Sequence, residues 1–389
     1  MEGYAQLLDR QYRATLTSMS NLAFILRDQA KYREAEELFQ QTWEGREKTL
    51  GPQHPDTLTS LSNLALVCRD LGVYDKAASL TQQTLDRNVD ILGGRHPNTL
   101  ASKSNLAMLL QEQCKFDEAE KLSQQVLGAR EAELGEDHPH TLASASTLAS
   151  VLEDQDQEQC HYHEAEQLDR RALQGRQVAL GSLHPDSLTS ESNLAFTLRM
   201  QGKYEESESL NRQVLRERLR HRGEQHTDTL TSLNNLGLVL IDQKKFQGAG
   251  ELSRRALMGY RAKLGPDHPH TLTSLSNLAA ILHDQQKKGE AETLKRQVLE
   301  KYKAVLGIQH IDTLRSMGNL ASVLKDQGKY PKAEELGRFV FNGRLEQLGS
   351  QHPDAIKSRN DAIAILRSRG KDLEAEKLEK EAQRPRDKA

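Results

Sequence analysis

The sequence is poor in the residues on which many folds and functions depend. Only three of its 389 residues are cysteine, Cys68, Cys114 and Cys160, too few and too scattered for a disulfide framework. A reducing, cytoplasmic setting is therefore expected. Charge of one sign is also lacking: 53 basic and 56 acidic residues leave a net charge of −3. Bulk binding to nucleic acid or to an anionic membrane needs a strong basic excess, so neither is expected as a partner. No apolar run approaches the ~18 residues of a spanning helix, and no signal-peptide core stands at the start. The Gly-x4-Gly-Lys-Ser/Thr loop that cradles phosphate is missing, since Gly202-Lys203 and Gly328-Lys329 are each followed by Tyr. No Ser/His/Asp set or paired buried carboxylate stands out. The expectation is a protein that is not an enzyme, with no catalytic residue, no cofactor and no metal.

What is present is a repeat. The stretch His54 to Ala65, His-Pro-Asp-Thr-Leu-Thr-Ser-Leu-Ser-Asn-Leu-Ala, recurs along the whole chain. Its histidine returns at His96, His138, His184, His226, His268, His310 and His352, in steps of 42 residues except for 46 between His138 and His184. A fixed period of this size signals stacked supersecondary units. Length alone would suggest two or three globular domains. A repeat array instead grows by addition, without one central core.

The second unit serves as the type. Leu61, Leu64, Ala65 and Cys68 fall at i, i+3, i+4 and i+7, one face of an α-helix. Asp56 or Thr57 is the expected cap, with Pro55 outside the helix. Gly72 suits a left-handed stop. A second helix carries Ala77, Leu80, Thr84 and Leu85 on one face and runs out at Gly93. The small residue near its start returns as Ala35, Ala119, Ala165, Ser207, Ala249, Ala291, Ala333 and Ala375. Seven of only 17 aromatics, among them Tyr74 and Phe116, stand just before it as wedges at the turn, not as a base-stacking platform. Neither helix can bury its stripe alone, so the units must stack.

Leu-x2-Leu-Ala-x2-Cys followed by Gly-x-Tyr-x2-Ala resembles a tetratricopeptide repeat. The 42-residue form, with Leu-Gly-x2-His-Pro-Asp-Thr-Leu and Ser-Asn-Leu-Ala, is similar to the repeats of kinesin light chains and to the C-terminal arrays of fungal NTPase-type immune receptors. The resemblance implies an all-α, right-handed superhelical solenoid of about nine helix pairs over residues 15–382. A flexible tail is expected at 383–389. Residues 1–14 carry no His-Pro-Asp signal and are expected to form an improvised cap or to mark the join to a longer chain. The heptad coiled coil of kinesin light chains and the P-loop of the immune receptors have no counterpart here.

In tetratricopeptide arrays the first helices line a concave groove. On a helical wheel, the face of unit two opposite its core stripe holds Thr59, Asn63, Leu66 and Asp70. Along the stack this face reads as ladders. One is asparagine: Asn21, Asn63, Asn105, Asn193, Asn235, Asn277 and Asn319, broken by Thr147 and Asp361. A second is apolar: Phe24, Leu66, Met108, Phe196 and Leu238, weakening to Ser150, Ala280 and Ser322. A third is acidic and includes Asp70, Asp154 and Asp326. Asparagine is a mediocre helix former, so seven at one mid-helix position need a reason. Either the amides meet an extended peptide, as the resemblance to cargo-binding asparagines implies, or they bond between repeats. The apolar ladder either contacts a ligand or packs between first helices. The acidic ladder is expected to pair with Arg27, Arg69 or Lys325.

The eight repeat histidines lie one per unit and are expected to be structural. Cys160, His161 and His163 complete no metal-ligand set. Unit four carries four extra residues before Tyr162, read as a first helix one turn longer. The remaining Glu and Asp residues are expected on solvated helix faces. The function these patterns imply is a scaffold or adaptor that holds a protein or peptide ligand, as an extended segment or a partner helix, in the groove. The alternative is the sensing or regulatory portion of a larger signalling NTPase; a kinesin-light-chain-like cargo adaptor is the third reading.

Overall fold

The computed structural model describes residues 2–155, 159–350 and 352–381. Among these the chain forms eighteen helices and no strand. They run as nine pairs: α1 (Glu2–Asp28) and α2 (Tyr32–Leu50), α3 (Pro55–Asp70) and α4 (Tyr74–Leu92), α5 (Pro97–Glu112) and α6 (Phe116–Leu134), α7 (Pro139–Gln155) and α8 (Gln159–Leu180), α9 (Pro185–Met200) and α10 (Tyr204–Arg222), α11 (Thr227–Asp242) and α12 (Phe246–Leu264), α13 (Pro269–Asp284) and α14 (Lys288–Leu306), α15 (Ile311–Asp326) and α16 (Tyr330–Leu348), α17 (Pro353–Ser368) and α18 (Asp372–Glu381). The chain divides into two compact units, Met1–Glu217 and Arg218–Ala389. In the first, each of α1 to α8 packs on its successor; in the second, α11 to α17 do the same.

The repeat histidine starts each first helix from α3 onward. His54 Nδ1 accepts the Asp56 N–H at 3.1 Å, and the same bond recurs from His96 to His352. The expected cap, Asp56 or Thr57, is therefore replaced by the imidazole two residues upstream, and Pro55 is the first helical residue, where its missing N–H costs nothing. Thr57 instead turns back to donate to the Gly51 carbonyl at 2.8 Å, closing the loop. Gly51 sits at φ +88°, a conformation that L side chains rarely adopt. Asp56 contributes a first-turn negative charge, which favours the helix dipole.

The core stripe is buried as the periodicity predicts. Leu61, Leu64, Ala65 and Cys68 pack with Ala23, Ala35 and Phe39 of the preceding pair, with Ala77 and Leu80 of α4, and with Leu109 of α5. Val67 joins them, a position the narrow stripe left out, because α3 is covered from two sides by neighbouring repeats. Each fully buried leucine contributes ~1.5–3 kcal/mol. Burial pushes the Cys68 thiol up to about 12, so it is an inert apolar filler. The small residue of each second helix, from Ala35 to Ala375, has no exposed surface in any pair.

Two polar fasteners join consecutive repeats. Arg46 Nη1 on α2 donates to Ser60 Oγ on α3 at 2.8 Å, and Arg130–Ser144, Arg176–Ser190 and Arg218–Ser232 repeat the contact. Glu166 meets Lys203 at 2.7 Å, Glu292 meets Lys329 at 2.7 Å, and Glu334 meets Lys371 at 3.0 Å, each across 37 residues. The expectation that acidic residues occupy solvated faces is thus corrected: Glu166, Asp169, Glu191, Glu208 and Glu334 are all buried. A cation from the next repeat makes that burial tolerable for Glu166 and Glu334.

The fourth unit also differs from expectation. Its first helix, α7, has 17 residues against 16 in α3, while α8 has 22 against 19 in α4. Three of the four added residues therefore extend the second helix at its start. The stop does not depend on glycine elsewhere, since Ala30, Cys114, Lys244 and Gln286 take the left-handed conformation at the position of Gly72. At the other end, residues 2–14 are continuous with α1, and the tail expected at 383–389 lies outside the described residues.

Candidate binding groove

Consecutive first helices touch at α5 and α7, α7 and α9, and α15 and α17. What stacking leaves uncovered on α3 is the arc with Thr59, Asn63, Leu66 and Asp70, since Thr57, Leu58, Ser60, Leu61, Leu64, Ala65, Val67 and Cys68 are all buried. The asparagines occupy the same arc. Asn63, Asn105, Asn193, Asn235 and Asn277 are half-buried, while Asn21 and Asn319 are exposed. Among the described residues none of these seven amides has a hydrogen-bond partner; the bond between adjacent repeats uses the neighbouring Asn234, whose Nδ2 donates to Ser274 Oγ at 2.8 Å. None of the seven amides is among the side-chain atoms sealed from water, so their donors and acceptors are open to a ligand that replaces solvent.

The structure brings Leu66, Asn105 and Met108 together. With Ser62, Ala65, Arg69, Thr81, Ser102 and Leu109 they line a small cleft of about 20 Å³ between α3 and α5, with Thr81 entering from α4. Phe196 on α9 is 40% exposed, and the Arg199 guanidinium lies over its ring at 5.3 Å. Leu238 is half-buried on α11. Phe24 is exposed, with its ring edge-on to the buried Phe39 ring at 5.0 Å.

The acidic ladder is a set of cross-helix ties. Asp70 takes Arg27 at 2.5 Å and Arg69 at 3.4 Å. Asp154 accepts from Gln111 at 2.7 Å. At Asp326 the partner is His283 at 3.0 Å in place of the expected Lys325. The side chain of Cys160 lies outside the described residues; among those described, no group of three or more His, Cys, Asp and Glu could hold a metal ion.

Sequence reasoning missed a group in the fourth and fifth repeats. Thr197 Oγ1 on α9 contacts Glu153 Oε1 on α7 and, at 2.7 Å, Asp169 Oδ2 on α8. Burial pushes the Glu153 carboxyl up to about 8 and that of Asp169 up to about 6, against the lowering effect of the Thr197 hydroxyl. The signal was present: at the register where Glu153 stands, five other repeats carry Arg27, Arg69, Arg199, Lys325 and Arg367, three carry Gln111, Ile241 and His283, and none carries another acid. A different charge occupies the corresponding second-helix register in the seventh repeat, where Lys295 is buried and donates to the Asn319 carbonyl at 3.1 Å.

The family model described as "Tetratricopeptide repeat" matches residues 14–88, 61–132, 98–159, 156–216, 228–304 and 289–338. No curated protein matches the chain. Among solved structures, the chain is similar to a Podosopora anserina protein with nearly identical TPR-like repeats of kinesin-light-chain type: 28% identity over 54% of this chain and 97% of that one, TM-score 0.46. The apo quorum sensor NprR from B. thuringiensis shares the fold at 14% identity over 96% and 98% of the two chains, TM-score 0.55. So does a signal-transduction ATPase from Pyrococcus horikoshii with a tetratricopeptide repeat sensor, at 12% identity over 89% and 52%, TM-score 0.50. Among the described residues no helix is long and apolar enough to cross a membrane.

Proposed function

The chain belongs to the tetratricopeptide repeat family, whose repeats generally mediate protein–protein interaction, and on that premise we propose that its first helices hold an extended peptide of a protein partner. The carrying observation is the row of half-buried asparagine amides with no partner of their own. An extended backbone offers alternating N–H and C=O groups, and each amide supplies both a donor and an acceptor. Leu66 and Met108, open to a cleft beside Asn105, supply apolar contact for the peptide's side chains. The protein acts in this reading as a non-catalytic scaffold or adaptor.

The test is peptide-array binding by the full chain with Asn63, Asn105 and Asn235 changed to Ala. Each lost bond weakens binding by ~0.5–1.5 kcal/mol, so the triple variant should bind at least about tenfold less tightly while keeping its helix content. Undiminished binding by the folded variant would remove the groove from the account.

A further inference from the structure

The residues that line the cleft between α3 and α5 have counterparts in register on α7, α8 and α9. Glu153 follows His138 by the same number of residues that separate Arg69 from His54, and Asp169 follows Tyr162 as Thr81 follows Tyr74. Asn193, Phe196 and Thr197 take the register of Asn105, Met108 and Leu109. Three of the cleft's lining residues thereby change character. Arg69 becomes Glu153, Thr81 becomes Asp169, and Leu66 becomes Ser150. Two carboxylates replace a cation and a hydroxyl, and a leucine is cut back to serine.

These carboxylates lack what buried acids elsewhere in the chain possess. Among the described residues neither Glu153 nor Asp169 forms an ion pair. Arg176, whose charge is felt at Asp169, directs its guanidinium to Ser190 Oγ at 2.6 Å. Asp169 is 1% exposed, and its Oδ1 has no hydrogen-bond partner. Thr197 Oγ1 lies against Glu153 Oε1, Asp169 Oδ2 and the Asn193 carbonyl, yet its single proton can be donated to one of them at a time. Burial answers this by keeping a proton on Glu153, and an arriving cation would take that proton's place beside Asp169.

We propose that this site is a specificity pocket for a basic side chain, lysine or arginine, of the peptide held along the first helices. The proposal rests on the groove reading above. An ammonium or guanidinium brings several donors to Asp169 Oδ1, Asp169 Oδ2 and Glu153. Ser150 leaves room for the aliphatic stem, and the exposed Phe196 ring gives that stem an apolar wall.

The experiment pans a randomised dodecapeptide display library on the full chain. Synthetic peptides from the enriched set are then measured with each lysine replaced by norleucine, or each arginine by citrulline. One position should be enriched in Lys or Arg, and neutralising it should weaken binding roughly tenfold or more. On the Glu153→Gln, Asp169→Asn double variant the same replacement should change affinity less than about twofold. Enriched peptides with no basic preference, or a lysine-to-norleucine effect equal on both proteins, overturn the pocket and leave the groove standing. Failure to enrich any peptide overturns both. If the double variant does not fold, Glu153→Gln alone and the wild-type ratio of lysine to norleucine binding decide the matter.

Discussion

Two acids in this chain behave in opposite ways. Glu334 on α16 is surrounded by cations: Arg338 at 3.2 Å, Arg369 at 2.5 Å and Lys371 at 3.0 Å, the last two supplied by the following repeat. Burial alone would raise its carboxyl, but the hydrogen bonds from Arg369 and Lys371 hold it below its ordinary value. Glu153 on α7 is half-buried, with the Thr197 hydroxyl and the carboxylates of Asp169 and Asp154 nearby, and burial raises it to about 8. The difference teaches what stacking demands. A buried acid that fastens one repeat to the next is matched by a cation there. The unmatched acid adds no such fastening, and it is the one the pocket proposal puts to use.

The largest effect should come from breaking the matched site. Glu334→Ala leaves three cations without their shared partner and should cost about 3 kcal/mol, read as faster hydrogen exchange through α16, α17 and α18. Protection unchanged within about 0.5 kcal/mol would mean that the clamp contributes no more than an ordinary surface pair, and the comparison would collapse.

The two acids also predict opposite limbs of the pH profile. Glu334 has a depressed folded-state value, so its stabilisation is present above the unfolded carboxylate value and is lost as pH falls through the folded one. Glu153 has a raised value: folding favours its protonated form. Its contribution is fully present below the unfolded value near 4.5 and fades as pH rises towards about 8. Between pH 5 and 8 the wild type should therefore lose stability around α7 to α9 on the order of 2 kcal/mol, with water at the half-buried carboxyl limiting the loss. Glu153→Gln should flatten that limb above pH 6, leaving the part below it to Asp169, whose folded value is about 6, and the acid limb to Glu334. A limb above pH 6 that persists in Glu153→Gln would falsify the assignment.

How much of this was legible follows from what repeats and what does not. Columns that recur nine times, such as the buried small residue from Ala35 to Ala375, alanine in eight repeats and Ser207 in the fifth, show through at once because stacking imposes the same constraint on every unit. The helix start differs from expectation, because Asp56 has the right chemistry for a cap and only the folded backbone shows that the imidazole of His54, expected to be structural, accepts the Asp56 N–H itself. The Glu–Lys fasteners were hidden by their 37-residue span, which no wheel drawn on one helix can display. The asparagine column was visible, yet whether its amides bonded between repeats depended on geometry; Asn234, one residue away, makes that bond. Glu153 and Asp169 were hardest to see. Each is a single departure from its column, and they meet only because α7 and α8 fold back on each other and α9 closes over them.

The smallest effect on stability sharpens the comparison most. Ser150 is where the apolar ladder loses its bulk, and Ser150→Leu restores the residue found at Leu66. The site is exposed, and the serine hydroxyl accepts only from the exposed Gln111 amide at 3.1 Å, so folding should change by no more than about 0.5 kcal/mol. The leucine would occupy the space above Glu153 and Asp169 while leaving both carboxylates and Thr197 in place. If charge and room must act together, the variant keeps the wild-type pH limb between 5 and 8 but loses its preference for lysine over norleucine in the enriched peptides. If the preference survives, the acids attract cations without a walled pocket, and the cleft geometry carries no part of the selection. Pairing the two measurements separates the cost of the unmatched acids, set by burial, from their use, set by what can reach them.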